Sequence, residues 1–225
     1  MPGASAGRKL KEFPIPELNS LVARHFRATQ SLPLTIAGRP LPLVYLVVAT
    51  LIAAPQRKAV AVLDFDGRFD MARVLRCPPY QAPPADGEAA AAAAARRRVT
   101  EDDLAHVHVF RPAAGKGPPS PDAPAVAAAV AAVERHMLYG AHGSRDREYW
   151  GVVVVGGAAA SPDVAMATTW KGWLRVDREE LLPSEAAIPA GDVLAAAAGE
   201  ARRGTEGPVY WVANSLWGGF RFQEA

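Results

Sequence analysis

The sequence is nearly without cysteine: Cys77 is the one thiol in 225 residues. A disulfide scaffold and any cysteine-rich zinc module are thereby excluded. Long apolar runs are also missing. The longest, Leu41 to Ala54, falls short of the roughly 20 residues that a membrane span needs. No apolar run follows the basic stretch Met1 to Lys11, so no signal peptide is expected. A soluble intracellular protein without membrane contact is the expectation. Net charge is scarce as well. A formal balance of +2 permits contact with nucleic acid but does not argue for it.

What is present is material for a core. Half of the residues are hydrophobic and 21% are charged, a balance that excludes wholesale disorder. The length suits one generous domain or two small ones. Glu17 to Ala28 places Leu18, Leu21, Val22 and Phe26 on one helical face. A short strand is expected over Leu34 to Ala37, then a fully apolar helix from Leu43 to Ala54 that Pro55 stops. Ala59 to Phe65 and Tyr149 to Val155 are apolar almost throughout, the pattern of strands covered on both faces. Helical spacing returns over Arg68 to Cys77 and over Ala123 to Leu138, with a strand at His106 to Phe110 between them. Val164 to Val176 alternates as a strand or hairpin, and Val209 to Phe222 supplies one or two more strands. Alternation of this kind predicts an α/β sandwich, mainly parallel, with helices on both faces and late antiparallel strands.

One stretch breaks the rhythm. Pro78 to Pro84 is a proline-rich turn, and Ala89 to Ala95 is an unbroken alanine run closed by Arg96, Arg97 and Arg98. Alanine forms helix well but buries little, so residues 78–105 are expected to be a loosely attached insertion.

The turn after the opening strand is the first candidate for chemistry. A phosphate-binding loop needs a glycine-rich turn, then lysine for charge and Ser/Thr for magnesium. Counted from Gly38, the last three positions of that pattern fall on Leu43, Val44 and Tyr45, while Pro40 and Pro42 remove two backbone donors. The pair Gly115-Lys116 lacks the first glycine of the pattern, Phe110 standing there, and reads as loop. At the end of the strand Val152 to Val155, where an aspartate would hold magnesium, stand Gly156 and Gly157. The loop is degenerate and ATP hydrolysis is not expected.

The second strand ends in Asp64-Phe65-Asp66-Gly67-Arg68-Phe69-Asp70-Met71-Ala72-Arg73. Acids at the carboxyl end of a parallel strand sit where open α/β sheets place ligands; Asp66 or Asp70 can instead cap the following helix, the reading favoured for Asp70. This D-x-D-x-x-F-D-M-x-R run, set after an apolar strand and spaced from Gly38 as it is, resembles the RecA-like recombinase paralogues. The resemblance covers roughly Leu34 to Val176, and only the decapeptide is specific to it. It implies a RecA-like three-layer core over 34–225, preceded by an N-terminal segment, 1–33, with a short helix. It also implies a nuclear assembly subunit in homologous-recombination repair of DNA double-strand breaks. Its partners would be other recombinase paralogue subunits, and DNA would be reached through the complex. No cofactor is expected, ATP being the one candidate. Two other classes fit the residues: an atypical nucleoside-triphosphate hydrolase relying on Asp64 and Asp66, and an α/β interaction module unrelated to DNA.

Candidate DNA contacts are Arg96, Arg97 and Arg98 together with Trp170, Lys171 and Trp173, since aromatic stacking plus cations holds single strands. Packing of the tryptophans and charged termination of an alanine helix explain the same residues. His106, His108, His136 and His142 show no spacing that completes a metal site, and His142-Gly143-Ser144 reads as a turn.

Overall fold

The structure, a computed structural model, describes residues 10–31, 33–81, 98–112, 122–156, 164–179 and 209–224. In chain order the elements are α1 (Pro16–Thr29), β1 (Leu34–Gly38), α2 (Leu41–Ile52), β2 (Ala59–Asp64), α3 (Met71–Arg76), α4 (Glu101–Leu104), β3 (Val107–Phe110) and α5 (Ala123–Tyr139). Five strands follow: β4 (Tyr149–Val155), β5 (Met166–Thr168), β6 (Leu174–Arg178), β7 (Val209–Ser215) and β8 (Gly218–Glu224). They form one eight-stranded sheet in the order β3-β2-β4-β5-β1-β6-β7-β8. Every pairing from β3 to β6 is parallel, and β7 and β8 are added antiparallel. The expected α/β class, the mostly parallel sheet and the late antiparallel strands are all present.

The apolar runs explain where the core lies. Every residue of β2 is buried, as is every residue of β4 after Tyr149, so both strands are covered on two faces. On one face, Val60, Val62, Val153 and Val155 pack with Leu18, Leu21 and Val22 of α1, the whole apolar surface of α2, and Val74 of α3. On the other, Ala61, Leu63, Val152 and Val154 pack with Val126, Val130, Val133 and Met137 of α5. The change of face is what right-handed crossovers require, because travel across the sheet runs from β1 out to β3 and then reverses into β4.

The hairpin allowed over Val164 to Val176 does not form. β5 and β6 both run parallel to β1, one on each side of it, with Thr168 and Leu174 both opposite Ile36. The five residues between them therefore cross over β1. Gly172 makes the crossing: a Cβ there would lie 2.5 Å from Ile36 C and 2.6 Å from Ala37 N. The alternation that suggested a hairpin comes from two short strands that never pair with each other.

The N-terminal segment does not stand apart from the rest. Phe13 and Ile15 belong to the same cluster as α2, Trp150 Nε1 donates to Glu12 O at 2.9 Å, and Asn19 clamps Phe13 through both its N–H and its carbonyl. The insertion expected over 78–105 is likewise anchored at both ends. Tyr80 donates its backbone N–H to Thr50 Oγ1 (2.7 Å) and its hydroxyl to Glu17, Val99 is buried, and Thr100 with Asp103 forms a capping box on α4. These flanks carry Tyr80 and Val99 into the core; the alanine run itself lies within residues 82–97, outside the described residues. Among the described residues no helix is long and apolar enough to cross a membrane.

Candidate functional site

The carboxyl ends of β1, β2 and β4 bring together three of the features read from the sequence. After β1 the chain turns at Gly38, whose φ of +80° and closeness to Val176 O leave no room for a side chain. Arg39 N–H is spent on Val176 O (2.7 Å), and Pro40 caps α2 directly, with Pro42 in its first turn. The helix thus starts at Leu41, four residues before the notional loop ends at Tyr45. Leu43 and Val44 are buried in the core. A helix N-terminus attracts anions through its free N–H groups. Here Pro42 has none and Val44 N–H returns to Pro40 O (3.1 Å), leaving Leu41 and Leu43 as the donors. The turn offers exposed Arg39 but neither lysine nor hydroxyl. These residues do not fit a magnesium nucleotide phosphate.

Tyr45 points across to the acidic decapeptide. Its hydroxyl donates to Arg68 O (3.4 Å) and accepts from Asp70 N–H (3.3 Å), its ring meets Phe69 at 5.4 Å, and Arg73 lies 5.1 Å over it. Burial pushes the Tyr45 phenol pKa up, so it remains a neutral donor at physiological pH. Two motifs that the sequence keeps apart are therefore one structural unit.

The acids of that unit have separate fates. Asp64 is 1% exposed. Its carboxylate accepts from Arg68 N–H (3.1 Å), Phe69 N–H (3.0 Å) and Arg111 Nε (3.2 Å), and Arg111 also donates to Phe69 O (2.8 Å). Taking those two N–H groups into a turn is why α3 begins at Met71 rather than at Arg68. Asp70 caps α3 by accepting from Ala72 N–H at 2.8 Å. Asp66 is exposed, and its carboxylate lies where a Cβ on Gly156 would go. Gly156, at φ +78°, donates its N–H to Thr168 Oγ1 (2.9 Å). Glycine at this position is thus explained by Asp66, which brings an acid to the end of β4 from the neighbouring strand.

The candidate DNA contacts do not converge. Trp173 is packed: it stacks on His25 at 4.2 Å, meets Trp217 edge-on at 5.6 Å, and donates Nε1–H to Pro33 O. Burial lowers the His25 pKa, so the stack is with a neutral imidazole. Trp170 is 74% exposed, with Lys171 Nζ 4.2 Å over its ring. Arg98 is exposed on the chain leading to β3 at the sheet edge, whereas Trp170 follows β5 in the sheet interior. Arg96, Arg97, Gly115, Lys116 and Gly157 lie outside the described residues.

At the opposite end of the sheet the structure assembles what the sequence left scattered. Ser144, 1% exposed, has its Oγ 2.9 Å from His106 Nδ1 and 2.8 Å from His108 Nε2. Its N–H donates to His142 Nδ1 (3.2 Å), and His142 Nε2 reaches Met137 O (2.8 Å). His136 lies 5.8 Å from His142. The two-residue spacing of His106 and His108 put them on one strand face, but nothing local in the sequence linked them to a serine 36 residues away. Among the described residues no group of three or more His, Cys, Asp or Glu side chains has the geometry to hold a metal ion.

No protein-family model matches this chain, and no curated protein matches it.

Proposed function

We propose that this chain is a non-catalytic RecA-like recombinase paralogue, an assembly subunit in homologous-recombination repair of DNA double-strand breaks in the nucleus. Within that family it most resembles the small X-ray-repair cross-complementing paralogue, the second of its series, and its fungal relatives. In this reading the eight-stranded sheet is the RecA-like three-layer core, and other recombinase paralogue subunits are the partners that bring DNA. The observation that carries it is the union of Tyr45 with the Asp64–Arg73 segment. A chain that used nucleotide would keep these positions open for phosphate and magnesium. Here they are filled with an aromatic side chain, prolines and a closed turn, which suits a part retained for its shape.

One observation favours the other reading, an atypical nucleoside-triphosphate hydrolase: Asp66 stands exposed beside Gly156, at the place of the missing magnesium aspartate. The two readings separate in one assay. The purified chain is expected to release no phosphate from magnesium ATP above background, with Asp66→Ala indistinguishable from wild type. Turnover abolished by Asp66→Ala would overturn the non-catalytic reading.

A further inference from the structure

Four of the five histidines of the chain meet around Ser144, at the end of the sheet away from the acidic decapeptide. One hydrogen bond there, from Ser144 N–H to His142 Nδ1, depends on a neutral imidazole. Ser144 has one hydroxyl proton, so it donates to one of His106 and His108 and accepts from the other, an arrangement that needs no charge. Ser144 N–H points at His142 Nδ1, which must therefore be bare, and the ring proton sits on Nε2, donated to Met137 O. A second proton on His142 would set donor against donor at Ser144 N. The rings are also close to one another, His108 to His142 at 5.1 Å and His142 to His136 at 5.8 Å, so charging two of them is mutually repulsive.

The surrounding charges do not relieve this. His106 feels Arg147 and Arg57 against Asp146 and Asp103, and Arg147 is already held by Asp103 (3.0 Å) and Ile52 O. Arg145, from the same turn, is spent on Gly140 O. His108 is surrounded by His142, His136 and His106, with no carboxylate among the groups acting on it. Glu134 of α5 acts instead on Tyr149 and Lys11. Burial lowers the pKa of both His106 and His108, and at His108 the neighbouring imidazoles add to it.

The cluster joins β3 to the turn before β4, next to the Arg147–Asp103 ion pair that ties the same turn to α4. Among the described strands β3 pairs only with β2, and Ser144 belongs to the turn that leads from α5 into β4. We propose that the Ser144-centred histidine cluster is an acid-sensitive latch, holding the edge strand β3 to the turn at 140–148 and releasing it when protons enter. The sign follows from linkage. A histidine whose folded pKa is depressed contributes stability that is complete above its unfolded pKa, near 6.5, and is lost as pH falls through that value toward the folded one.

The test is amide hydrogen exchange on the full chain at pH 7.5 and 5.5, corrected for intrinsic exchange, with imidazole nitrogen resonances followed over the same range. Protection of Val107–Phe110 and Ser144 is expected to fall about tenfold on acidification, the equivalent of one pKa unit, while β4 and α2 stay protected. His142 is expected as the Nε2–H tautomer at pH 7.5, and His108 is expected to titrate below 6.5. His108→Gln, which can still bond Ser144 but cannot titrate, is expected to lose most of the pH dependence. Unchanged protection of β3 across the range, or an equal loss in His108→Gln, would overturn the latch. Should the variant fail to fold, a wild-type His108 midpoint at or above 6.5 overturns it instead.

Discussion

Asp64→Ala is expected to destabilise the chain by about 3 kcal/mol, because it leaves two backbone donors and one guanidinium nitrogen without their acceptor. Arg68 N–H and Phe69 N–H point inward at the carboxylate, and Phe69 itself is buried, so water replaces neither bond fully. The salt bridge to Arg111 adds less, since that side chain is 56% exposed and solvent screens the pair. A graded series follows. Asp64→Asn keeps one acceptor oxygen and is expected to cost about half as much as Asp64→Ala, with Arg111→Ala costing under about 1 kcal/mol. Urea denaturation with an unchanged m-value reads the order directly. Equal effects for Asp64→Ala and Arg111→Ala would show the ion pair, not the turn, to be what the first acid of the decapeptide serves.

Trp173→Ala is expected to be as damaging, at about 3 kcal/mol or more, because it opens a cavity between α1 and the β7–β8 hairpin and removes a stack on His25. Trp170→Ala, three residues away, is expected to leave stability within about 0.5 kcal/mol of wild type. The contrast matters for DNA. A loss of single-strand binding in Trp173→Ala would reflect unfolding, whereas Trp170, exposed under Lys171, is the residue free to stack on a base. Stacking is worth about 1–3 kcal/mol per base, and phosphate contacts fade steeply with salt. With cationic groups scattered and a net charge of +2, the isolated chain is expected to bind single-stranded DNA weakly at physiological salt. Submicromolar binding that Trp170→Ala abolishes would make this chain a DNA-contacting subunit in its own right. Thermal melts and a salt titration on the same two variants supply both answers.

The elements legible in the sequence are those whose burial is uniform. β2, β4 and α2 are continuous apolar runs, and they lie where those runs are. α2 begins two residues earlier than the spacing suggests because prolines at Pro40 and Pro42 suit a helix start, where a missing N–H costs nothing. The helix expected from Arg68 is shorter because a buried carboxylate, Asp64, competes for its first N–H groups. Other features depend on contacts distant in sequence. β5 is three residues long, and only its place between β4 and β1 makes it a strand. Trp170 and Trp173 look alike in sequence, yet one is packed because His25 and Trp217 arrive from elements far along the chain. The glycine at 156 reads as a lost acid until Asp66 is seen to occupy the space beside it. Ser144 sits in an unremarkable turn until His108 of β3 and His106 just before it bring two imidazoles to it.

Assembly is the centre of the proposed function, so the decisive measurement is the composition of the complex that forms around the intact chain. The tagged full-length protein would be isolated from nuclei of its own source at physiological salt and its partners quantified by mass spectrometry. RecA-like recombinase subunits in amounts equal to the bait are expected, and they should remain after nuclease treatment. Stoichiometric partners that include no RecA-like subunit, or recombinases lost once DNA is digested, would contradict an assembly subunit of this family.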